Sequence, residues 1–269
     1  MKAALFVNDS YFAYLLAQPV LERFQRDIGL VVLSTRNTAS PSRVRSIGSK
    51  TSREYFLYRS VVHCLSGFLG AIRGKSVEAA ARRYGIRTMA SPDFKASLPA
   101  LRAAGPFDVG LAFNCDQKLD AELLALCSHG ILNVHASKLP QDAGISPVLW
   151  AFARGDKTVW STIYKMDTGI DTGPVLEQLE FAVAPEDTAF SLYQRVCADS
   201  GKVLAETLSR YLRGELAARP QPETSGRTYW SWPDDRHQQM MRASGRRFLR
   251  ARDLLDALAG RNAAEAAVR

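Results

Sequence analysis

Short continuous apolar runs, set apart by helix-length segments, restrict this chain more than any other feature. Ala3–Val7 is the first run; Pro19 is placed to open a helix whose apolar side is Val20, Leu21 and Phe24; Leu30–Leu33 is the second run. Runs without polar alternation suit strands buried on both faces, and strand, helix, strand in this order predicts a parallel α/β sheet. A short helix follows Ser76 and ends near Gly85, and strands are expected at Arg87–Ala90 and Phe107–Phe113. Leu119–Leu126 supplies helical positions before Gly130, and Ile131–Val134 is a further short strand. Val159–Met166 and Pro174–Phe181 add two more, and a long helix is expected over Thr188–Leu212. Past Gly214 the sequence thins into Ala, Arg, Pro, Glu and Ser, which divides a main domain, 1–214, from an aromatic and basic, partly helical extension, 215–269. The extension is too short for a comfortable core of its own and is expected to dock on the first domain.

Composition narrows the classes. At 269 residues and 46% hydrophobic, the chain has apolar material for a substantial core, which argues against disordered and fibrous proteins. Cys64, Cys115, Cys127 and Cys197 lie far apart, with no CxxC pair and no zinc spacing, so a reducing, cytoplasmic setting without a metal is expected. Cys127 and Cys197 read as small buried hydrophobes. The opening MKAALFVNDS meets Asn8 and Asp9 too soon for a secretory signal. Tyr55–Ile72 carries Phe56, Leu57, Val61, Val62, Leu65 and Phe68 at mostly helical spacing, but Arg59 and His63 interrupt it, short of the roughly 20 apolar residues that span a bilayer. It is expected to pack on the sheet or line a pocket, with peripheral membrane contact the weaker alternative.

The formal charge of +8 fits nucleic acid, an anionic membrane or an anionic substrate equally well. Ser34–Lys50 reads as an exposed loop; Arg36, Arg43, Arg45, Lys50, Arg53 and Arg59 are opposed only by Glu54, and a second basic set runs from Arg242 to Arg252. No nucleic-acid motif accompanies either set, so solvated faces are the simpler reading and nucleic acid is not favoured.

The residues that bear on chemistry lie in GILNVHASKLP, 130–140, and MDTGIDTGPVL, 166–176. Asn133 and His135 are two apart, hence on one side of an extended segment, at a strand end where parallel sheets form their sites. Asp171, in a turn built around Gly169 and Gly173, offers a carboxylate to that pair. An imidazole exchanges protons near neutrality, and a carboxylate beside it favours its charged form. An asparagine amide donates to a developing oxyanion, and losing one comparable donor costs about 3 kcal/mol. By themselves these residues leave two readings open, a catalytic trio and ordinary turn chemistry.

The ordered set Asn133-Val134-His135, Ser137, Leu139-Pro140, Gly144, Gly155-Asp156 and Asp171-Thr172-Gly173-Pro174 resembles the 10-formyltetrahydrofolate-dependent formyltransferases, whose members act on glycinamide ribonucleotide, methionyl-tRNA and amino sugars. The resemblance implies a Rossmann-like, mostly parallel sheet flanked by helices, and catalytic roles for Asn133, His135 and Asp171. It further implies a folate pocket formed through the backbone of LAFNCDQKL, 111–119, and the turn before Asp171, so that Leu111, Phe113, Asn114, Asp167, Thr168, Gly169 and Ile170 are cofactor-site candidates. Ala136, Lys138 and Ala143 stand where the family commonly has proline, leucine and arginine, with Lys138 expected near the site entrance.

The chemistry so implied is transfer of a formyl group from 10-formyltetrahydrofolate to a primary amine. A nucleotide-linked amino sugar leads among acceptors because GRTYWSWPDD, 226–235, looks similar to an aromatic-proline run in amino-sugar enzymes; Tyr229, Trp230 and Trp232 either stack on a sugar or base or cover the core. Another small amine or amino acid, glycinamide ribonucleotide, methionyl-tRNA, or water in a formyltetrahydrofolate hydrolase are the alternatives, followed by a nonenzymatic folate-binding module. The residues past Gly214 do not suggest the β-barrel that tRNA enzymes add. The chain also starts too directly for the regulatory domain of the hydrolases. Homodimer formation stays open.

Overall fold

The structure is a computed structural model that describes residues 1–36, 41–222 and 226–261. β1 (Ala3–Asn8) and β2 (Ile28–Ser34) pair in parallel around α1 (Tyr11–Arg23). The absence of polar alternation in β1 has a direct cause: Ala3, Leu5 and Val7 enter one hydrophobic cluster and Ala4 and Phe6 enter another, one on each face. α1 begins at Ser10, whose hydroxyl accepts from the amide of Ala13 at 3.2 Å, so Pro19 lies inside the helix rather than opening it. An interior proline costs about 3 kcal/mol in an isolated helix, and here the burial of α1 from Tyr11 to Ala17 and at Val20 and Leu21 outweighs it.

α2 (Pro41–Gly48) and α3 (Arg53–Arg73) come next. Part of the stretch expected as an exposed loop is therefore helical, with a proline at its first position; residues 37–40 of that stretch lie outside the described residues. Ser52 caps α3 through the amide of Tyr55, and Gly74, left-handed, ends it.

α4 (Val77–Arg83), β3 (Thr88–Ser91), α5 (Leu98–Ala104), β4 (Val109–Phe113), α6 (Ala121–Leu124) and β5 (Ile131–His135) complete a parallel block. β6 (Ala143–Gly144) and α7 (Pro147–Arg154) lead to β7 (Thr158–Lys165) and β8 (Val175–Ala182), which join antiparallel. The resulting sheet runs β3-β2-β1-β4-β5-β7-β8. α8 (Ala189–Leu212), capped by Thr188, packs with α1 on one face. The two helices approach so closely that a Cβ at Gly201 would meet the carbonyl of Leu16. Phe94, Leu98, Leu101 and Leu123 cover the opposite face.

The extension supplies β9 (Tyr229–Trp230), α9 (Asp235–Ala243) and α10 (Ala251–Ala259), and it docks on the body. β9 pairs in parallel with β6, Trp230 stacks on Trp150 of α7 at 4.5 Å, and His237 is wholly buried against Trp150 and Phe248. Among the described residues no helix is long and apolar enough to cross a membrane.

Candidate active site

The parallel strands β1, β4 and β5 end on a cavity of about 1080 Å³ reached by Asn8, Asn114 and His135. Strand order reverses between β1 and β4, the switch point at which open α/β sheets bind ligands. Register sets the chemistry. Asn133 of β5 lies opposite Tyr164 of β7, so the two side chains share a face. The Tyr164 hydroxyl donates to Oδ1 of Asp171 at 3.0 Å and accepts from Nδ2 of Asn133 at 2.9 Å. Because its only proton goes to the carboxylate, the hydroxyl offers Asn133 just a lone pair, and the amide nitrogen must face it. Burial, then the adjacent Asp171, hold the phenol well above its ordinary pKa, so that proton stays in place.

Asp171 has a left-handed backbone, φ 53°, in a turn tied by Asp167 Oδ1, which accepts from the amide of Gly169 at 3.0 Å and the hydroxyl of Thr172 at 2.6 Å. Gln221 clamps the same turn by donating to the carbonyls of Asp171 and Gly173 at 3.0 and 2.7 Å. Oδ2 of Asp171 accepts from the amide of Gly144 at 2.9 Å and lies 3.5 Å from Nε2 of His135. Gly144, at φ +99°, admits no side chain, because a Cβ there would strike the backbone of Trp230.

Nε2 of His135 has no hydrogen-bond partner among the described residues, and the backbone of Asp142 lies beside the ring. Burial lowers the pKa of His135 below the ordinary histidine value, opposed first by the charge of Asp171 and then by Asp142. The imidazole is therefore neutral near pH 7, with Nε2 ready to take a proton and a carboxylate placed to stabilise the cation that results.

Of the expected folate contacts, Asn114, Gly169 and Ile170 line the cavity. Leu111 and Phe113 have fully buried side chains in the layer beneath α1 and α8, and so offer a ligand backbone alone. Asp167 is occupied with its turn, and Thr168 is exposed outside the lining. Lys138 is not at the entrance; its ammonium lies 4.3 Å from the ring centre of Trp160, an aromatic face that attracts a cation. Tyr229 and Trp232 line the cavity, whereas Trp230 stacks on Trp150 and gives its indole N–H to Asp142 at 2.6 Å. Arg36, Lys50 and Arg59 of the first basic set also reach the wall, with Arg59 over Trp232. Cys127 and Cys197 are buried, and burial pushes both thiols up to about 12. Tyr164 carries no signal in the sequence, where only the pairing of β5 with β7 exposes it, and Gly144 stands in the motif without a sign that its amide holds Asp171.

Residues 71–208, just over half of the chain and including Asn133, His135 and Asp171, match the family described as Formyl transferase. The chain belongs to this family. Among curated relatives, a methionyl-tRNA formyltransferase of Myxococcus xanthus is 47% identical over 104 residues, 39% of this chain and 33% of that protein. One from Burkholderia multivorans is 34% identical over 178 residues, 58% of this chain and 52% of that protein. The chain thus spans a third to about half of the length of these relatives. An N-formyltransferase of Helicobacter canadensis, solved with folinic acid and dTDP-3-aminofucose, shares the fold at a TM-score of 0.58 and 16% identity, over 86% of this chain and 71% of that one.

Proposed function

We propose that the chain transfers a formyl group from 10-formyltetrahydrofolate to a primary amine. The carrying observation is the convergence of His135 Nε2, Asp171 and the Tyr164-oriented amide of Asn133 on one wall of the cavity. The donor fits there: small-molecule sites run to roughly 300–1,000 Å³, and a cavity of about 1080 Å³ accepts a folate beside His135 with room for a second substrate. Asn114, Gly169 and Ile170 are the residues to hold it. When bound, the folate supplies the formyl carbon. Nε2 of His135 takes the proton of the attacking amine and returns it to the folate nitrogen N10, which leaves as its bond to the formyl carbon breaks; Asp171 stabilises the imidazolium meanwhile, and the remaining N–H of Asn133 donates to the formyl oxygen.

For the acceptor, a nucleotide-linked amino sugar is favoured, because Tyr229 and Trp232 put aromatic surface in the cavity wall. The Helicobacter enzyme solved with a nucleotide-linked amino sugar offers a precedent within the same fold. Glycinamide ribonucleotide fits less well. The first strand-to-helix turn is the natural phosphate seat of an α/β sheet, but two of its amides are engaged: Tyr11 donates to Ser66 at 3.2 Å and Ala13 to Ser10. Asp9 adds a carboxylate to the same wall. Methionyl-tRNA is the second reading, supported by the curated relatives that carry that name. The division into a catalytic domain, 1–214, and an extension, 215–269, belongs to the same proposal.

The test incubates purified protein with 10-formyltetrahydrofolate and a panel of nucleotide amino sugars, small amines and methionyl-tRNA, reading product by mass spectrometry and formate as the control. Formylated amino sugar is expected. Product confined to methionyl-tRNA replaces the acceptor, and formate without any product replaces transfer by hydrolysis.

A further inference from the structure

The cavity extends past the catalytic residues in a second direction, into the helical layer on one face of the sheet. Its lining there is Phe12 and Leu16 of α1, Tyr58 and Val62 of α3, and Val196 and Ser200 of α8. Tyr193 and Cys197 of α8 and Ser161 of β7 also border it, so its polar atoms are few: the Ser161 and Ser200 hydroxyls, the Tyr58 and Tyr193 phenols and the Cys197 thiol. The wider part of the cavity, with His135, Asp171, Arg36 and Lys50, is polar by contrast.

Two hydroxyls mark this annex. Ser200 of α8 and Ser161 of β7 are fully buried and line the cavity, and neither side-chain oxygen has a hydrogen-bond partner among the described residues. A serine in a helix ordinarily turns its hydroxyl to the carbonyl of the preceding turn, and a buried hydroxyl is rarely left unpaired. Two in one cavity are the mark of a ligand that brings the missing partner.

We propose that the annex receives an apolar arm of the acceptor, an alkyl, acyl or aromatic substituent carrying at most one or two polar atoms for Ser200 and Ser161. The inference rests on the reading of this cavity as an amine site and deepens it: the acceptor is amphiphilic, with its amine at His135 and its arm between α1, α3 and α8. A sugar that is hydroxylated all round leaves the annex empty; one that bears a deoxy or acyl substituent fills it.

The probes are n-alkylamines from propylamine to octylamine, titrated calorimetrically into the full chain. Affinity should rise about fourfold for each added methylene until the annex is full, the equivalent of about 0.8 kcal/mol per buried CH2. Ser200→Leu fills the annex from α8 and should flatten the series; Val62→Trp fills it from α3 and keeps the test standing if the first variant does not fold. A flat series in the unaltered protein overturns the inference, as does an unchanged slope in a folded filled variant. Binding of amines needs no turnover. A protein that shows the chain-length dependence yet forms no formylated product therefore fails as a transferase while keeping the annex, and a transferase with a flat series does the reverse.

Discussion

Replacing Tyr164 by phenylalanine tests whether the site works as a connected unit. The hydroxyl makes two bonds in a place where Tyr164 is only 2% exposed: it donates to Asp171 at 3.0 Å and accepts from Asn133 at 2.9 Å. A bond to a charged group contributes about 1.5–3 kcal/mol and a neutral one about 1 kcal/mol, so about 4 kcal/mol bounds the loss in folding stability. The kinetic loss follows from Asn133. Removing an oxyanion donor outright costs about 100-fold or more in kcat, whereas Tyr164→Phe keeps the donor and only frees it to rotate, so a fall of about 10-fold in kcat with a smaller change in KM is expected. The assay is a double-mutant cycle on formyl-transfer rates with Asn133→Ala, Tyr164→Phe and the pair. If Tyr164 acts through Asn133, its removal costs less than about threefold once Asn133 is alanine. Wild-type kcat in Tyr164→Phe, or full additivity in the double variant, refutes the reasoning.

Because burial lowers the pKa of His135, the acid limb of kcat/KM should lie below pH 6.5, and in Asp171→Asn, which removes the charge that opposes the shift, it should move further down; a limb that moves up contradicts the assignment. His237 is likewise buried with a lowered pKa, so the unfolded chain binds more protons below pH 6.5 and stability should fall as pH drops through that value. Thermal unfolding of His237→Phe between pH 7 and 5 should show a shallower loss than the parent chain. Asp142→Ala removes a carboxylate that accepts from Arg154 at 2.9 and 3.0 Å and from Trp230 at 2.6 Å, which should lower stability by about 2–3 kcal/mol in urea titrations and open residues 226–235 to protease.

The sheet was legible because strands buried on both faces cannot hide: Ala3–Val7 and Leu30–Leu33 have no reason to be continuously apolar otherwise, and Ile131–Val134 is broken only by Asn133. The long helix after Thr188 was equally plain from its broad apolar face. Of the elements missed or misplaced, α1, α2 and α7 have plain physical reasons. α1 contains a proline that local propensity would exclude and tertiary burial tolerates; α2 lies in a polar stretch; α7 lies in PVLWAFAR, buried along nearly its whole length and so without the polar face that marks a helix. In the site, Asn133, His135 and Asp171 were readable as residue types and from the motif. Tyr164 was not, since a tyrosine in a strand carries no mark of function until pairing brings it beside Asn133. For the folate-site candidates the motif names only a segment, and strand alternation decides that the side chains of Leu111 and Phe113 turn inward.

The parallel contact between Gly144 and Trp230 reaches beyond packing. The amide of Gly144 fixes the Asp171 carboxylate, and the adjoining loop is tied to residues 86 to 88 positions later in the chain, through Thr228 and Trp230. A ribosome-bound nascent chain that has already assembled its sheet therefore still holds an unfinished centre. Fragments ending before residue 226 would acquire their secondary structure and bind poorly or not at all, so that competence arrives late in synthesis, together with Tyr229 and Trp232 of the cavity wall.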